Sequence, residues 1–465
     1  MSDARASATT APGFAPAASI TRRRAPSSLP LWLAGALVAA NVALIVWLWW
    51  NGGNVTHVKT TGDLLVSIAR LTGLLGAFSA LVQVLLLARI PWIERPVGFD
   101  RLTVWHRWNG HACLYLVLAH VVFSVWGYAF LDKLPLGKEI SQMITGGIYP
   151  GMITATVGTA LMIAVVISSI VAVRKRVRYE AWYAIHLTVY ASIALAWFHQ
   201  IPTGNELVID HLAANYWRGL YIVTLFMLLG FRVAVPLVNA FRYRLRVVEV
   251  VDEGAGAVSL HIGGRGLGRL RAQAGQFFLW RFLTRGRWWA SHPFSLSAAP
   301  DGRSLRITVK DLGDFTHRLA AVPVGTRVAV EGPFGAFTDA VRRRPKVALI
   351  GGGIGITPVR SLLEEMHGDI AVVYRVISDD DVILGEELHE LATRRGAALH
   401  IVSGDHRTDE GRGLLSAAHL QELVPDLAER EVYVCGPPAM AEAVRASALE
   451  ANVPSRYLHT ERFAL

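Results

Sequence analysis

Four histidines set the chemistry open to this sequence. His106 and His120 lie 14 positions apart in one apolar stretch, and His186 and His199 lie 13 apart in another. An imidazole inside a segment apolar enough to cross a bilayer is costly, which makes each a functional candidate. On an ideal helix, at about 100° and about 1.5 Å per residue, His106 and His120 project within about 40° of each other and stand about 21 Å apart along the axis. His111 points about 140° away from His106 and reads as an ordinary core or interfacial residue, as do His57 and His211 beside outer loops. If the two stretches cross in the same direction, His106 shares a depth with His186, and His120 with His199. Two imidazoles at each of two depths suit axial ligation of two b-type haems, with electron transfer favoured over gas binding. One geometric point resists: 13 residues rotate by about 220°, so His186 and His199 share a face only through a bulge, a tilt or unwinding near the end of the span.

The elements that must position these residues are membrane helices. Apolar runs at about 31–50, 62–88, 103–127, 151–173, 180–200 and 212–238 each come near the ~20 residues needed to cross the hydrocarbon core. Trp47, Trp49, Trp50, Trp105, Trp108, Trp182 and Trp197 cluster at their ends, as interfacial aromatics do. The 465 residues are 52% hydrophobic with a mean hydropathy of +0.37, and the apolar excess lies in the first half.

The formal net charge of +10 is distributed as on a membrane protein. Arg22 to Arg24, Arg89, Arg95, Arg101, Arg107, Arg174 to Arg176, Arg178, Arg242, Arg244 and Arg246 fall on one side of a six-span topology, and only Lys59, Lys133 and Lys138 on the other. This asymmetry puts both termini in the cytoplasm of a bacterial-type plasma membrane. No basic and aromatic patch supports nucleic-acid binding. Residues 1–30 read as a disordered cytoplasmic tail, and the apolar run after them lacks the cleavage site of a secretory signal. Cys113 and Cys435 offer neither a disulfide framework nor a zinc motif. Arg70, inside the second span, can pair with a haem propionate or hold an anionic acceptor such as superoxide; the alternative is snorkelling to the outer surface.

The composition changes after residue 240. Strands at 244–251, 257–262, 275–282, 304–310 and 326–331, separated by glycine-rich turns, predict a small antiparallel β-barrel over 241–340. Over 345–465 strand and helix alternate, which predicts a doubly wound α/β domain with a parallel sheet. The fold class is therefore a membrane all-α six-helix haem bundle over 31–240, followed by these two domains. Strand 346–350 runs into Gly351-Gly352-Gly353-Ile354-Gly355-Ile356-Thr357-Pro358 and then a helix. Glycines there let the backbone approach a pyrophosphate, and the helix N-terminus supplies free N–H donors. His292-Pro293-Phe294-Ser295 and Gly313-Asp314-Phe315-Thr316 offer an aromatic, Pro-fixed slot and a helix start suited to a flavin and its diphosphate.

Together these motifs, with GPFG at 332–335, CGPP at 435–438 and the terminal Glu461-Arg462-Phe463, resemble the ferric reductase and NADPH-oxidase superfamily. The resemblance covers approximately residues 60 to 465. It implies that His292, Pro293, Phe294 and Ser295 hold the flavin of FAD and that Gly313 to Thr316 contact its diphosphate. It implies also that Gly351, Gly352, Gly353, Gly355, Thr357, Gly436 and Pro437 form the nicotinamide dinucleotide site, with Cys435 near the nicotinamide and Phe463 stacked on the flavin until displaced. Arg375, at the end of the second α/β strand, is where a 2′-phosphate would be read, which favours NADPH, with NADH possible. The sequence has no DxDxDG calcium loop, and its short outer loops present no platform for an obligate partner subunit. The acceptor on the far side is a ferric chelate, or alternatively O2 reduced to superoxide. A third reading is a membrane-anchored flavin reductase feeding a cytoplasmic partner, which would make the histidines incidental.

Overall fold

Hydropathy decides the first half of the fold. A computed structural model describes residues 31–174, 176–177, 179–203, 208, 210–284, 291–405, 407–408, 411 and 413–462; the amino-terminal tail and Phe463 lie outside these. Among the described residues six helices are long and apolar enough to cross a membrane. The bundle comprises α1 (Leu31–Trp49), α2 (Thr61–Leu86), the short α3 (Pro91–Val97), α4 (Phe99–Asp132), α5 (Leu136–Thr145), α6 (Met152–Ser169), α7 (Tyr179–Thr203), α8 (His211–Leu229) and α9 (Val235–Tyr243). The last two are joined by a π-helical turn, Gly230–Ala234, and form one span. The fourth span is shorter than its hydropathy suggests, ending at Ser169.

Small residues let two helix pairs close tightly, as expected where apolar lipid gives helices no hydrophobic reason to associate. In the α2/α4 pair, a Cβ on Gly127 would stand 2.6 Å from the Val66 side chain, and one on Gly73 2.7 Å from the His120 ring. Polar bonds add to this contact: Asn109 Nδ2 donates to the Ser79 carbonyl and to Gln83 Oε1, both at 2.8 Å. In the α6/α7 pair, a Cβ on Gly158 would stand 2.9 Å from the Ser192 carbonyl, and Ser192 Oγ donates to the Gly158 carbonyl at 2.7 Å. By contrast α4 and α7, which carry the four histidines, are not packed against each other.

The barrel is built from two three-stranded antiparallel sheets. β1 (Arg246–Gly254), β2 (Ala257–Gly263) and β5 (Ser304–Lys310) run in the order β1-β2-β5; β3 (Phe277–Phe282), β4 (His292–Ser295) and β6 (Val328–Phe334) run in the order β4-β3-β6. Bridges Arg246 to Arg327 and Leu296 to Ile307 join the two sheets. Their inward faces share one core, with Leu260, Phe278, Trp280, Phe282, Leu296 and Ile307 fully buried. The α/β unit has one parallel sheet in the order β11-β10-β7-β8-β9, formed by β7 (Lys346–Gly352), β8 (Asp369–Val376), β9 (Ala398–Ser403), β10 (Glu431–Gly436) and β11 (Leu458–Arg462). Helices α10 (Ile356–Glu365), α11 (Gly385–Arg395) and α12 (Pro438–Glu450) cover it, and separate apolar clusters line its two faces. That is the doubly wound arrangement expected from the alternation of strand and helix.

Candidate functional site

The structure brings the four histidines together as two facing pairs. His106 and His186 have ring centroids 6.0 Å apart, and His120 and His199 6.4 Å apart. Two imidazoles bound through Nε2 to opposite sides of one metal, at about 2 Å each, have centroids about 6 Å apart. Both pairs therefore fit axial ligation of a single iron.

The other ring nitrogens support this assignment. His106 Nδ1 faces the Gln83 carbonyl at 3.1 Å and His120 Nδ1 the Ala69 carbonyl at 2.8 Å. A carbonyl can only accept, so both Nδ1 atoms carry the proton and both Nε2 lone pairs are free for a metal. His186 Nδ1 lies 3.3 Å from Ser169 Oγ, whose own proton goes to the Val165 carbonyl at 2.7 Å. His199 Nδ1 is buried with no hydrogen bond among the described residues. Helix α7 is α-helical throughout Tyr179–Thr203, so neither a bulge nor unwinding reconciles the rotation between His186 and His199; the remaining route is a tilt of α7 relative to α4. His111 is exposed and bonded to the Arg107 carbonyl at 2.8 Å, away from both pairs. Arg70 is half-buried, and its Nη1 donates at 2.9 Å to Oδ1 of the buried Asn54. It neighbours Ala69, the partner of His120.

In the barrel, His292 and Phe294 of β4 stack with Phe315 of the GDFT turn; the His292 and Phe315 rings are 3.6 Å apart and nearly parallel. Trp280 Nε1 fixes β4 by donating to the Phe294 carbonyl at 2.9 Å. Pro293 leaves its position in β4 without an amide donor. Ser295 Oγ is buried with no hydrogen bond among the described residues, a hydroxyl that fits a polar flavin atom. Thr316 Oγ1 is occupied within its own turn, accepting from Leu312 N and donating to the Gly313 carbonyl, both at 2.9 Å. The backbone donors of Gly313 to Thr316, with Asp314 at the first helical position, are thus what the turn offers a diphosphate.

The glycine turn brings the ends of β7 and β10 into contact. A Cβ on Gly355 would stand 2.4 Å from the Cys435 carbonyl and one on Gly352 2.0 Å from Met440 Sδ, while Gly436 lies against Gly352 and Gly351 against Ile356. Gly353 has positive φ and nothing within reach of its missing side chain, so there the backbone is open to a ligand. Thr357 Oγ1 bonds back to the Ile354 carbonyl at 3.0 Å, and Pro437 caps α12. Cys435 is fully buried, and burial pushes its thiol well above the usual range, which keeps it neutral. Glu461 pairs with it in register across β10 and β11. Arg375 lies at the end of β8, with its guanidinium bonded to the carbonyls of Val376, Val402 and Gly404, which holds β8 to the end of β9.

Sequence reasoning missed the joints between the three parts. Between bundle and barrel, Arg232 pairs with Glu331 of β6 at 3.4 Å and Arg89 lies over the Phe334 ring; beside this joint Arg281 pairs with Glu331 at 3.6 Å within the barrel, and Arg89 pairs with Glu94 at 3.5 Å and Trp92 meets Phe231 edge-on within the bundle. These contacts place the barrel at the end of α4 nearest His106. Between barrel and α/β unit, Glu387 of α11 takes both arms of Arg306 at 3.0 Å and also binds Arg360. A pattern of isolated charges in separate segments carries no sequence periodicity by which to find such joints.

Comparison with known proteins decides the assignment of the parts. Residues 72–197 match the family described as ferric reductase like transmembrane component, 255–338 an FAD-binding domain and 349–446 an oxidoreductase NAD-binding domain. This is the ferric reductase/NADPH oxidase-type architecture. The histidine pairs of this ferric reductase-type chain lie within or just beyond the first match, and the HPFS and glycine motifs lie within the second and third. Among curated relatives, the ferredoxin reductase component of 3-ketosteroid-9-alpha-monooxygenase from Mycobacterium tuberculosis is 31% identical over 47% of this chain and 64% of its own length. An NADPH oxidoreductase from the same organism is 30% identical over 50% of this chain and 62% of its own. The chain thus spans less than two thirds of the length of these relatives. Among solved structures, the flavohem-like FAD/NAD binding domain of nitric oxide dioxygenase from Vibrio cholerae shares 25% identity over 47% of this chain and 98% of its own, with a TM-score of 0.41. The chain is a membrane flavin-dependent oxidoreductase with FAD- and NAD(P)-binding domains.

Proposed function

We propose that this oxidoreductase is a ferric-chelate reductase that takes electrons from NAD(P)H on the cytoplasmic, barrel side of the membrane and delivers them to a ferric chelate on the far side. His106 with His186, and His120 with His199, would each hold a b-type haem; the HPFS and GDFT segments would hold FAD. When bound, FAD supplies the exchange between two-electron and one-electron chemistry, and haem supplies one-electron relay.

The side chains position and insulate. His106 and His120 keep their Nδ1 protons on backbone carbonyls, which orients each ring and raises the basicity of Nε2. The open backbone at Gly353 and the start of α10 offer N–H donors to a pyrophosphate. Cys435 presents a neutral thiol beside the nicotinamide position, and Phe463 would cover the flavin until nicotinamide displaces it. No side chain need act as an acid or base.

The observation that carries this reading is the pair of ring separations, 6.0 and 6.4 Å, at two levels of one bundle. A reduced-minus-oxidised spectrum of the purified protein should show b-type haem, and His106→Ala and His199→Ala should each lose part of it. An unchanged haem content in both variants would end the transmembrane proposal and leave a membrane-anchored flavin reductase. The acceptor is tested by nucleotide consumption without oxygen: turnover that continues with ferric chelate is expected, and turnover that requires oxygen even with chelate present would favour the superoxide-generating oxidase. Arg70 supports that second reading, because it keeps a cation at the level of His120.

A further inference from the structure

The ring nitrogens that face away from the paired imidazoles are not all held in the same way. His106 Nδ1 and His120 Nδ1 donate to the backbone carbonyls of Gln83 and Ala69, acceptors that no substitution removes. His186 Nδ1 instead faces a side chain, Ser169 Oγ of α6, at 3.3 Å. The proton of that hydroxyl goes to the Val165 carbonyl one turn back, at 2.7 Å. Its oxygen also takes the indole Nε1–H of Trp182 at 3.3 Å, and an indole can only donate. One lone pair is left for His186, so the imidazole proton sits on Nδ1 and Nε2 is free for a metal. The Trp182 ring lies 5.1 Å from the His186 ring, and the Arg174 guanidinium covers the indole at 4.6 Å.

We infer that Ser169 is a positioning residue for His186, and that its hydroxyl sets the electron-donating strength of this ring toward the haem iron that His106 and His186 would share. An imidazole whose Nδ1–H is accepted by an oxygen is more basic at Nε2. A more basic axial ligand favours the ferric over the ferrous iron and so lowers the potential. At His106 and His120 the backbone fixes this effect. At His186 it depends on one side chain, which makes the inner pair the place where a single substitution can move a potential without touching a ligand. This role rests on the haem reading of the four histidines.

Anaerobic spectroelectrochemical titration of the full-length purified protein tests it without nucleotide or acceptor. Two one-electron waves are expected, of which His106→Ala removes one. Ser169→Ala should raise that wave alone, by about tenfold in the ferrous-to-ferric ratio, which is about 59 mV for one electron. Ser169→Thr should keep the native value, because a threonine hydroxyl bonds the i−4 carbonyl as Ser169 does. Ser168→Ala removes a hydroxyl bonded to the same Val165 carbonyl at 2.9 Å and should leave both waves in place. Unmoved waves in Ser169→Ala would overturn the inference, as would an equal shift of the wave that survives His106→Ala or an equal shift in Ser168→Ala. If Ser169→Ala releases the haem, the threonine variant decides: retention supports the role, and loss from both overturns it. A native protein without b-type haem would end the transmembrane proposal and this role together, whereas a native two-haem spectrum with an unmoved Ser169→Ala wave would end this role alone.

Discussion

The joint between bundle and barrel pairs its charges loosely, and the joint between barrel and α/β unit pairs them closely. In the first, Glu331 meets Arg232 across the joint at 3.4 Å and Arg281 on its own side at 3.6 Å, and Arg281 Nε is buried with no hydrogen bond among the described residues. In the second, Arg306 makes two 3.0 Å bonds to Glu387 and two more to Ser297, Arg360 reaches the same Ser297 carbonyl at 3.1 Å, and Glu364 accepts from Ala299 N at 2.7 Å. The difference matches the demands on each joint. Hydride transfer needs reacting atoms held about 3 to 3.5 Å apart, so the two nucleotide-binding units must be fixed in register. On the proposed function an electron passing toward the histidine pairs would need proximity, and long ion pairs over apolar contacts would suffice for that.

The comparison can be broken first at the tight joint. Glu387→Ala leaves the buried Arg360 and the part-buried Arg306 without their shared carboxylate, and removing one partner of a buried network costs about 3 kcal/mol; thermal unfolding of the FAD-loaded protein should register the loss, and flavin reduction by nucleotide should slow with it. The next effect belongs to the loose joint and to pH. Burial pushes the Glu94 carboxyl up to about 7, against the pull of Arg89. Between the ordinary value of 4.5 and about 7 the folded joint holds a proton that the unfolded chain has released, so stability falls as pH rises through that window, by up to about 3 kcal/mol. Melting temperatures followed across the window should show this slope, and Glu94→Gln should flatten it. Glu331→Gln should cost about 1 kcal/mol, yet it should slow electron delivery to the bundle while stopped-flow flavin reduction stays at its original rate. The smallest effect is expected from Lys310→Ala, which breaks the partly exposed pair with Asp381 and should change the melting free energy by less than about 1 kcal/mol.

What was legible in the sequence followed from periodicity and from local motifs. Six apolar runs fixed six spans, and the spacing within two of them foretold which histidines would face each other, because helix rise alone sets depth. The glycine turn announced the strand and helix on either side of it. The unread parts depend on contacts between distant segments. β4 is only four residues long and contains Pro293, so nothing in its pattern separates it from a turn; its strand character comes from pairing with β3. Arg375 stands where the sequence places a phosphate reader, and only the carbonyls brought beside it by β9 and its turn show that some of its donors also tie the sheet together. The rotation between His186 and His199 was foreseen as a difficulty, but one sequence cannot say how two helices lie across each other.

The division of the bundle into two closely packed helix pairs bears on how the protein is assembled. In each pair, α2 with α4 and α6 with α7, glycines close the contact and a polar side chain, Asn109 in one and Ser192 in the other, finds its partner in the facing helix. Each can therefore finish packing as it enters the bilayer, without waiting for the other. On that order of packing the faces that carry histidine would meet last. Supply of the group they hold would then limit the yield of closed protein more than folding of either half, and a cell short of that group would accumulate two sound halves that have not shut.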